Sequence, residues 1–227
     1  MWFFTLFLGC EETTKASLST DTSTESLLQD TGLSLTDTGL EEETECDPPL
    51  YQPYPFATTV VDVNYGEGAG FGQDLMPDIV LGAPMGFGDG RGSLDVLTLG
   101  HQGSITLAFD LTIVDGEGPD FIVFENPFIG WLETGIVSVS QDGETWHTWD
   151  CDTTDVQNNF PNCAGVGFVY SHPDNCIDAR DWMEAGGDAF DLADLGIESA
   201  NFIRIVDSGA NILGGFDLDA VVIVHGE

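Results

Sequence analysis

The 227-residue sequence is nearly devoid of cations: Lys15, Arg91, Arg180 and Arg204 stand against 40 Asp and Glu, a net charge of −36 at pH 7. A field of that sign repels phosphate backbones and anionic headgroups. It disfavours nucleic acid and anionic lipid surfaces as partners, and suits cations, basic partners or a saline medium. The five cysteines form no Cys-x-x-Cys pair, and His101, His147, His172 and His225 do not cluster with them, so a zinc site is disfavoured. Catalytic signatures are missing too. The glycine-rich Gly66–Gln73 is not followed by Gly-Lys-Ser/Thr and runs into Pro77, which removes a phosphate-binding loop from consideration. The chain carries no nucleophile elbow, no His-Glu-x-x-His and no recognisable Ser/His/Asp spacing. Helix is confined to Asp191–Leu195, with Asp191 as N-cap and Gly196 as stop.

What is present is a succession of short β-prone runs. Hydrophobic residues make up 42% and aromatics 11%, enough for an ordinary core in one all-β domain. The stretch Leu94–Phe128 organises the chain. It holds the runs Leu94–Leu99, Ser104–Phe109 and Phe121–Phe124, separated by Gly-His-Gln-Gly and by Asp115-Gly-Glu117-Gly-Pro-Asp120. Ala57–Val63, Gly135–Ser140, Glu144–Trp149, Ser199–Val206 and Phe216–Val224 read as further strands, with Gln141-Asp142-Gly143 as a hairpin signal. Asp78–Leu81 is another apolar run, set before the second glycine-rich loop, Gly82–Gly92. Short strands, regular turns and almost no helix predict an antiparallel β-sandwich.

Residues 1–10 form an apolar stub too short to span a bilayer, and 11–50 an acidic Ser/Thr-rich tract, expected to be a disordered linker before the sandwich of 51–227. Leu8-Gly9-Cys10 resembles a bacterial lipobox, which implies a lipid on Cys10, although Phe7 and the lack of a basic residue before it depart from that pattern. Glu11 after the cysteine favours an outer-membrane or surface position. Setting Cys10 aside leaves an even four cysteines and an oxidising compartment. Three connectivities are open; the expected one joins Cys151 to Cys163, close in sequence, and leaves Cys46 with Cys176.

Seven ordered blocks carry a wider resemblance: Gly92–Gly100, Gly103–Asp110, Ile113–Phe128, Val137–Gly143, Cys163-Ala-Gly, Gly186–Gly196 and Gly215–Val221. They resemble an uncharacterised family of bacterial cell-surface proteins, a likeness that implies location and fold rather than activity. Val137–Trp146 followed by Phe202-Ile-Arg-Ile is similar to discoidin-like, galactose-binding-type jelly rolls. That resemblance implies a sandwich with loops at one end for ligand, often with a structural calcium.

Carboxylates are the candidate chemistry. Asp217 and Asp219 alternate with apolar residues, so on a regular strand they share one face about 7 Å apart and call for solvent or a bridging cation. Asp115, Glu117 and Asp120 alternate as in calcium loops, but counting Asp115 as first puts Asn126 where an EF-hand needs Glu. Such a loop also suits a turn whose polar groups satisfy its own backbone. Asp188, after two glycines, is a better ligand candidate than Asp191, which suits a cap. Glu125 ends an apolar run and serves as a general acid, a calcium ligand or a contact to ligand. Trp131, after Gly130, is the tryptophan expected to be exposed for a sugar; Trp146, Trp149 and Trp182 are expected in the core. The resulting expectation is a lipid-anchored, non-catalytic surface module, stabilised by calcium, binding an extracellular glycan or envelope component. A calcium-dependent polysaccharide hydrolase and a purely structural envelope protein are the alternatives.

Overall fold

The computed structural model describes residues 49–88, 91–125, 127–211 and 214–227. Cys10, Cys46, the stub and nearly all of the linker lie outside them. The described residues all belong to the unit 44–227. Its strands are β1 Thr59–Asn64, β2 Leu97–Thr98, β3 Ser104–Val114, β4 Phe121–Glu125, β5 Gly135–Ser140, β6 His147–Thr148, β7 Asp188–Phe190, β8 Ser199–Asp207 and β9 Asp217–Ile223. They form two antiparallel sheets, β1-β3-β8-β5-β6 and β2-β9-β4-β7, and the chain alternates between sheets from β3 to β5 and from β8 to β9. The fold is the expected all-β sandwich.

The five-stranded sheet follows strict alternation. Ile105 and Val137 flank Ile205, Leu107 and Val139 flank Ile203, and all six are fully buried against the other sheet. Their neighbours Thr106, Ser138 and Arg204 form the opposite face, where the Arg204 guanidinium lies 3.7 Å over the Trp146 ring and its Nε donates to Thr106 Oγ1.

The four-stranded sheet does not alternate, because both of its faces are covered. Phe121, Val123, Leu218, Val221 and Ile223 enter the core between the sheets. Ile122, Phe124, Ala220 and Val222 enter a second core with Phe56, Val169, Ala179 and Ala185. A strand buried on both faces is selected for unbroken apolar character, which accounts for Phe-Ile-Val-Phe and Ala-Val-Val-Ile. The ladder between β4 and β9 shifts from Phe124–Ala220 to Glu125–Leu218, leaving Asp219 as an extra residue, a β-bulge.

Several elements are shorter than expected. Leu94–Leu99 pairs only at β2, with Leu94 exposed, and Glu144–Trp149 only at β6. Within the apolar run Asp78–Leu81, Asp78–Val80 forms a 3-10 turn. Leu192–Leu195 is also a 3-10 turn, capped as expected: Asp191 Oδ1 accepts from Ala193 N, and Gly196 closes it at φ 67°. Cys151 is bonded to Cys163 as expected. Cys176 is disulfide-bonded as well, but the expected pairing with Cys46 falls outside the described residues.

Candidate functional site

The acidic residues singled out in the sequence separate into two kinds: carboxylates consumed by backbone N–H groups, and carboxylates left facing one another.

Asp120, Asp188 and Asp219 belong to the first kind. Fully buried Asp120 accepts from Gly116 N and Leu192 N, and its Oδ1 lies 2.9 Å from His225 Nδ1. Asp115 and Asp191 lie close enough to Asp120 to share an ion, yet Asp191 is occupied in capping and Asp115 is exposed. Glu117 is exposed at the same turn. Asp120 ties the loop 115–120 to the 3-10 turn at Leu192. Replacing Asp120 with Ala orphans two backbone donors and should lower the unfolding free energy by about 2 kcal/mol, read as an earlier urea midpoint. Asp219, displaced by the bulge, accepts from Met85 N through both oxygens, at 2.9 and 3.2 Å, and does not join Asp217. Asp188 accepts from Gly165 N, Val166 N and Gly167 N, at 2.7, 3.0 and 3.1 Å.

The second kind converges where β4 ends and β9 begins. Glu125, Glu133 and Asp217 each place an oxygen within 4.8 Å of the others. Glu125 comes from the last position of β4 and is 1% exposed. Asp217 opens β9, and its Oδ1 accepts from Thr98 Oγ1 on the neighbouring β2. Glu133 arrives from the connection to β5 and is 7% exposed. Its carboxylate lies where a Cβ on residue 214 would sit, so any larger residue there would push Glu133 out of this position. Gly215 N and the Trp131 indole donate to it.

Burial and like charge act together on these groups. Burial pushes the Glu125 carboxyl well above its ordinary range, and the charges of Asp217, Glu133 and Asp188 push it further, against one hydrogen bond from the Asp217 backbone. Burial raises Glu133 to about 6 despite the Trp131 bond, and it raises Asp217 despite the Thr98 bond. Asp188 is likewise raised to about 6 by burial, against its three N–H partners. Among the described residues Glu125 Oε2 is buried with no hydrogen-bond partner.

Above this cluster the chain makes a tight turn, with Trp131 N donating to Phe128 O at 2.9 Å. Phe128, Ile129 and Trp131 are 44%, 76% and 43% exposed. Trp131 is therefore on the surface as expected and Trp149 is in the core, but Trp146 is half-buried under Arg204 on the outer face and Trp182 is exposed. Glu133 is the member of the cluster that sequence reasoning missed. The available signal was a lone acid in Trp-Leu-Glu-Thr immediately before a strongly apolar strand. No protein-family profile matches the chain, and comparison with curated proteins finds no match.

Proposed function

We propose that the chain is a non-catalytic binding module of a bacterial cell surface that takes carbohydrate on the Phe128–Trp131 turn. The observation that carries this reading is the exposure of three large apolar side chains on one short turn, with the Trp131 indole N–H held by Glu133. Side chains of that size are placed in water at a cost, and a contiguous group of them marks a contact surface. A fixed indole face suits the apolar face of a sugar ring. The net charge of −36 argues against nucleic acid, and the Cys151–Cys163 bond fits an oxidising compartment. The family resemblance and the lipobox-like Cys10 support a surface position. Among the described residues no helix is long and apolar enough to cross a membrane.

A hydrolase would need two carboxylates flanking a glycosidic bond. Glu125, at 1% exposure, is shut off from a sugar, which favours the binding reading. Affinity electrophoresis of the full chain against a panel of bacterial and plant polysaccharides tests it. At least one should retard the wild-type protein, and Trp131→Ala should weaken that retention about tenfold or more while still unfolding in one cooperative thermal transition. Equal retention of the variant removes the turn from the ligand site. Release of reducing ends would replace binding with hydrolysis.

A further inference from the structure

We propose that Glu125, Glu133 and Asp217 form a site for a hard divalent cation, calcium, and that the bound ion seats the Trp131 turn through Glu133. Proximity of acids alone would not carry this. The discriminating observation is Glu125 Oε2, enclosed in protein with no donor among the described residues, in a residue whose other polar contact is the backbone N–H of Asp217. A desolvated carboxylate oxygen facing two further carboxylates is the least favourable arrangement a protein interior can hold unless a cation joins it. The Asp115, Asp120 and Asp191 group is a built-in contrast. Its oxygens are equally close, but those of Asp120 are taken up by Gly116 N, Leu192 N and His225. Both are trios of carboxylates, but the Glu125 group is the more deeply buried and the one that holds an unfilled buried acceptor.

The donor set fixes the class of ion. Three carboxylates with neither thiolate nor imidazole match a hard cation, and calcium accepts irregular oxygen sets completed by carbonyls or water. Separations of up to 4.8 Å between oxygens are what two ligands on one calcium span at 2.3–2.6 Å each. Among the described residues the arginines are engaged elsewhere: Arg180 pairs with Asp178 at 2.7 Å, Arg204 lies on Trp146 and Arg91 over Phe87.

Glu133 links the site to the surface. Its carboxylate accepts the Trp131 indole N–H and lies against Gly214, so drawing it onto an ion fixes the indole as well. The turn then has two conditions, ordered with calcium and looser without it. This holds whether the turn takes carbohydrate or another ligand.

The test uses the full chain, stripped with EDTA and titrated with calcium chloride alone. The thermal midpoint should rise by about 5–10 °C at calcium a hundredfold above its Kd. Glu125→Gln and Asp217→Asn, each nearly isosteric, should abolish the rise, while Asp120→Asn should keep it. Tryptophan emission should change with calcium, and Trp131→Phe should remove that change. A wild-type midpoint indifferent to millimolar calcium overturns the site, as does an undiminished rise in both the Glu125 and Asp217 variants. A midpoint rise with the same emission change in Trp131→Phe overturns the link to the turn. Absence of any glycan retention by the wild-type protein, with the calcium response intact, would count against the carbohydrate reading and leave the ion site standing.

Discussion

Freed of divalent cations, the protein should become less stable as the pH rises from about 5 to about 7, the reverse of the trend expected where native carboxylates are paired. The sign follows from which state holds the proton. Glu125 is raised well above 4.5 in the folded chain by burial and by its neighbours' charge, whereas in the unfolded chain it has the ordinary value. Above about 4.5 the native state therefore retains a proton that the unfolded state has released. Stability falls by about 1.4 kcal/mol per pH unit for each such group until its folded value is passed. Glu133, raised to about 6, adds in the same direction, its share cut by screening because it lies nearer the surface. Asp142, lowered to about 2 by N–H bonds from Thr145 and Glu144, changes ionisation far below this window.

Glu125→Gln removes the largest contributor. In EDTA at about pH 6 the variant should exceed the wild type by about 2 kcal/mol, because the uncharged amide never has to take up a proton to fold. Urea unfolding in EDTA at three pH values, for both proteins, measures the slope and the gap together. Parallel curves would mean that Glu125 is solvated in the native state, contrary to the structure. Saturating calcium should flatten or reverse the wild-type slope, since acid then competes with the ion, and leave the variant unmoved.

The sequence announces most of this architecture but little of the convergence. Gly135–Ser140 was legible because its side chains alternate and its ends are marked by glycine and an Asp-Gly turn. Phe121–Glu125 was legible from composition and from the acidic Gly/Pro turn before it, although its double burial was not. The strand Asp188–Phe190 carries no β signal in Asp-Ala-Phe and exists because the β4 edge is there to pair with. Glu144–Trp149 shrank because Asp142 Oδ1 takes the Glu144 and Thr145 N–H groups into a turn. At the site, Glu125 and Asp217 were each recognisable as acids bordering buried strands. Their meeting with Glu133 depends on the pairing of β4 with β9 and on a loop crossing, neither of which leaves a local mark. The alternation of Asp217 and Asp219 gave the wrong partner for a definite reason: a single-residue bulge at Asp219 turns its carboxylate to Met85. Nothing in Phe-Asp-Leu-Asp-Ala announces a bulge.

Asp188→Ala should be the most damaging single change in the acidic set, lowering the unfolding free energy by about 3–4 kcal/mol. Both oxygens of Asp188 are consumed by the consecutive N–H groups of residues 165–167, and truncation leaves all three donors without the acceptor they converge on. The loss would spread beyond the loop. Gly165 is held at φ +88° with its α-carbon directly against the Glu133 carbonyl, where no side chain fits, so freeing it loosens the segment that delivers Glu133 to the cluster. Asp188→Asn separates this anchoring role from the ligand role that the sequence suggested. The amide oxygen still accepts two of the three bonds, so the variant should lose only about 1 kcal/mol. As an anchor it should retain most of the calcium-induced rise in midpoint. If Asp188→Asn instead left stability unchanged and erased the calcium response, Asp188 would be a ligand and the three N–H bonds incidental. The geometry favours the anchor: a carboxylate already accepting three backbone donors has little left to offer an ion, whereas the unfilled oxygen of Glu125 has everything.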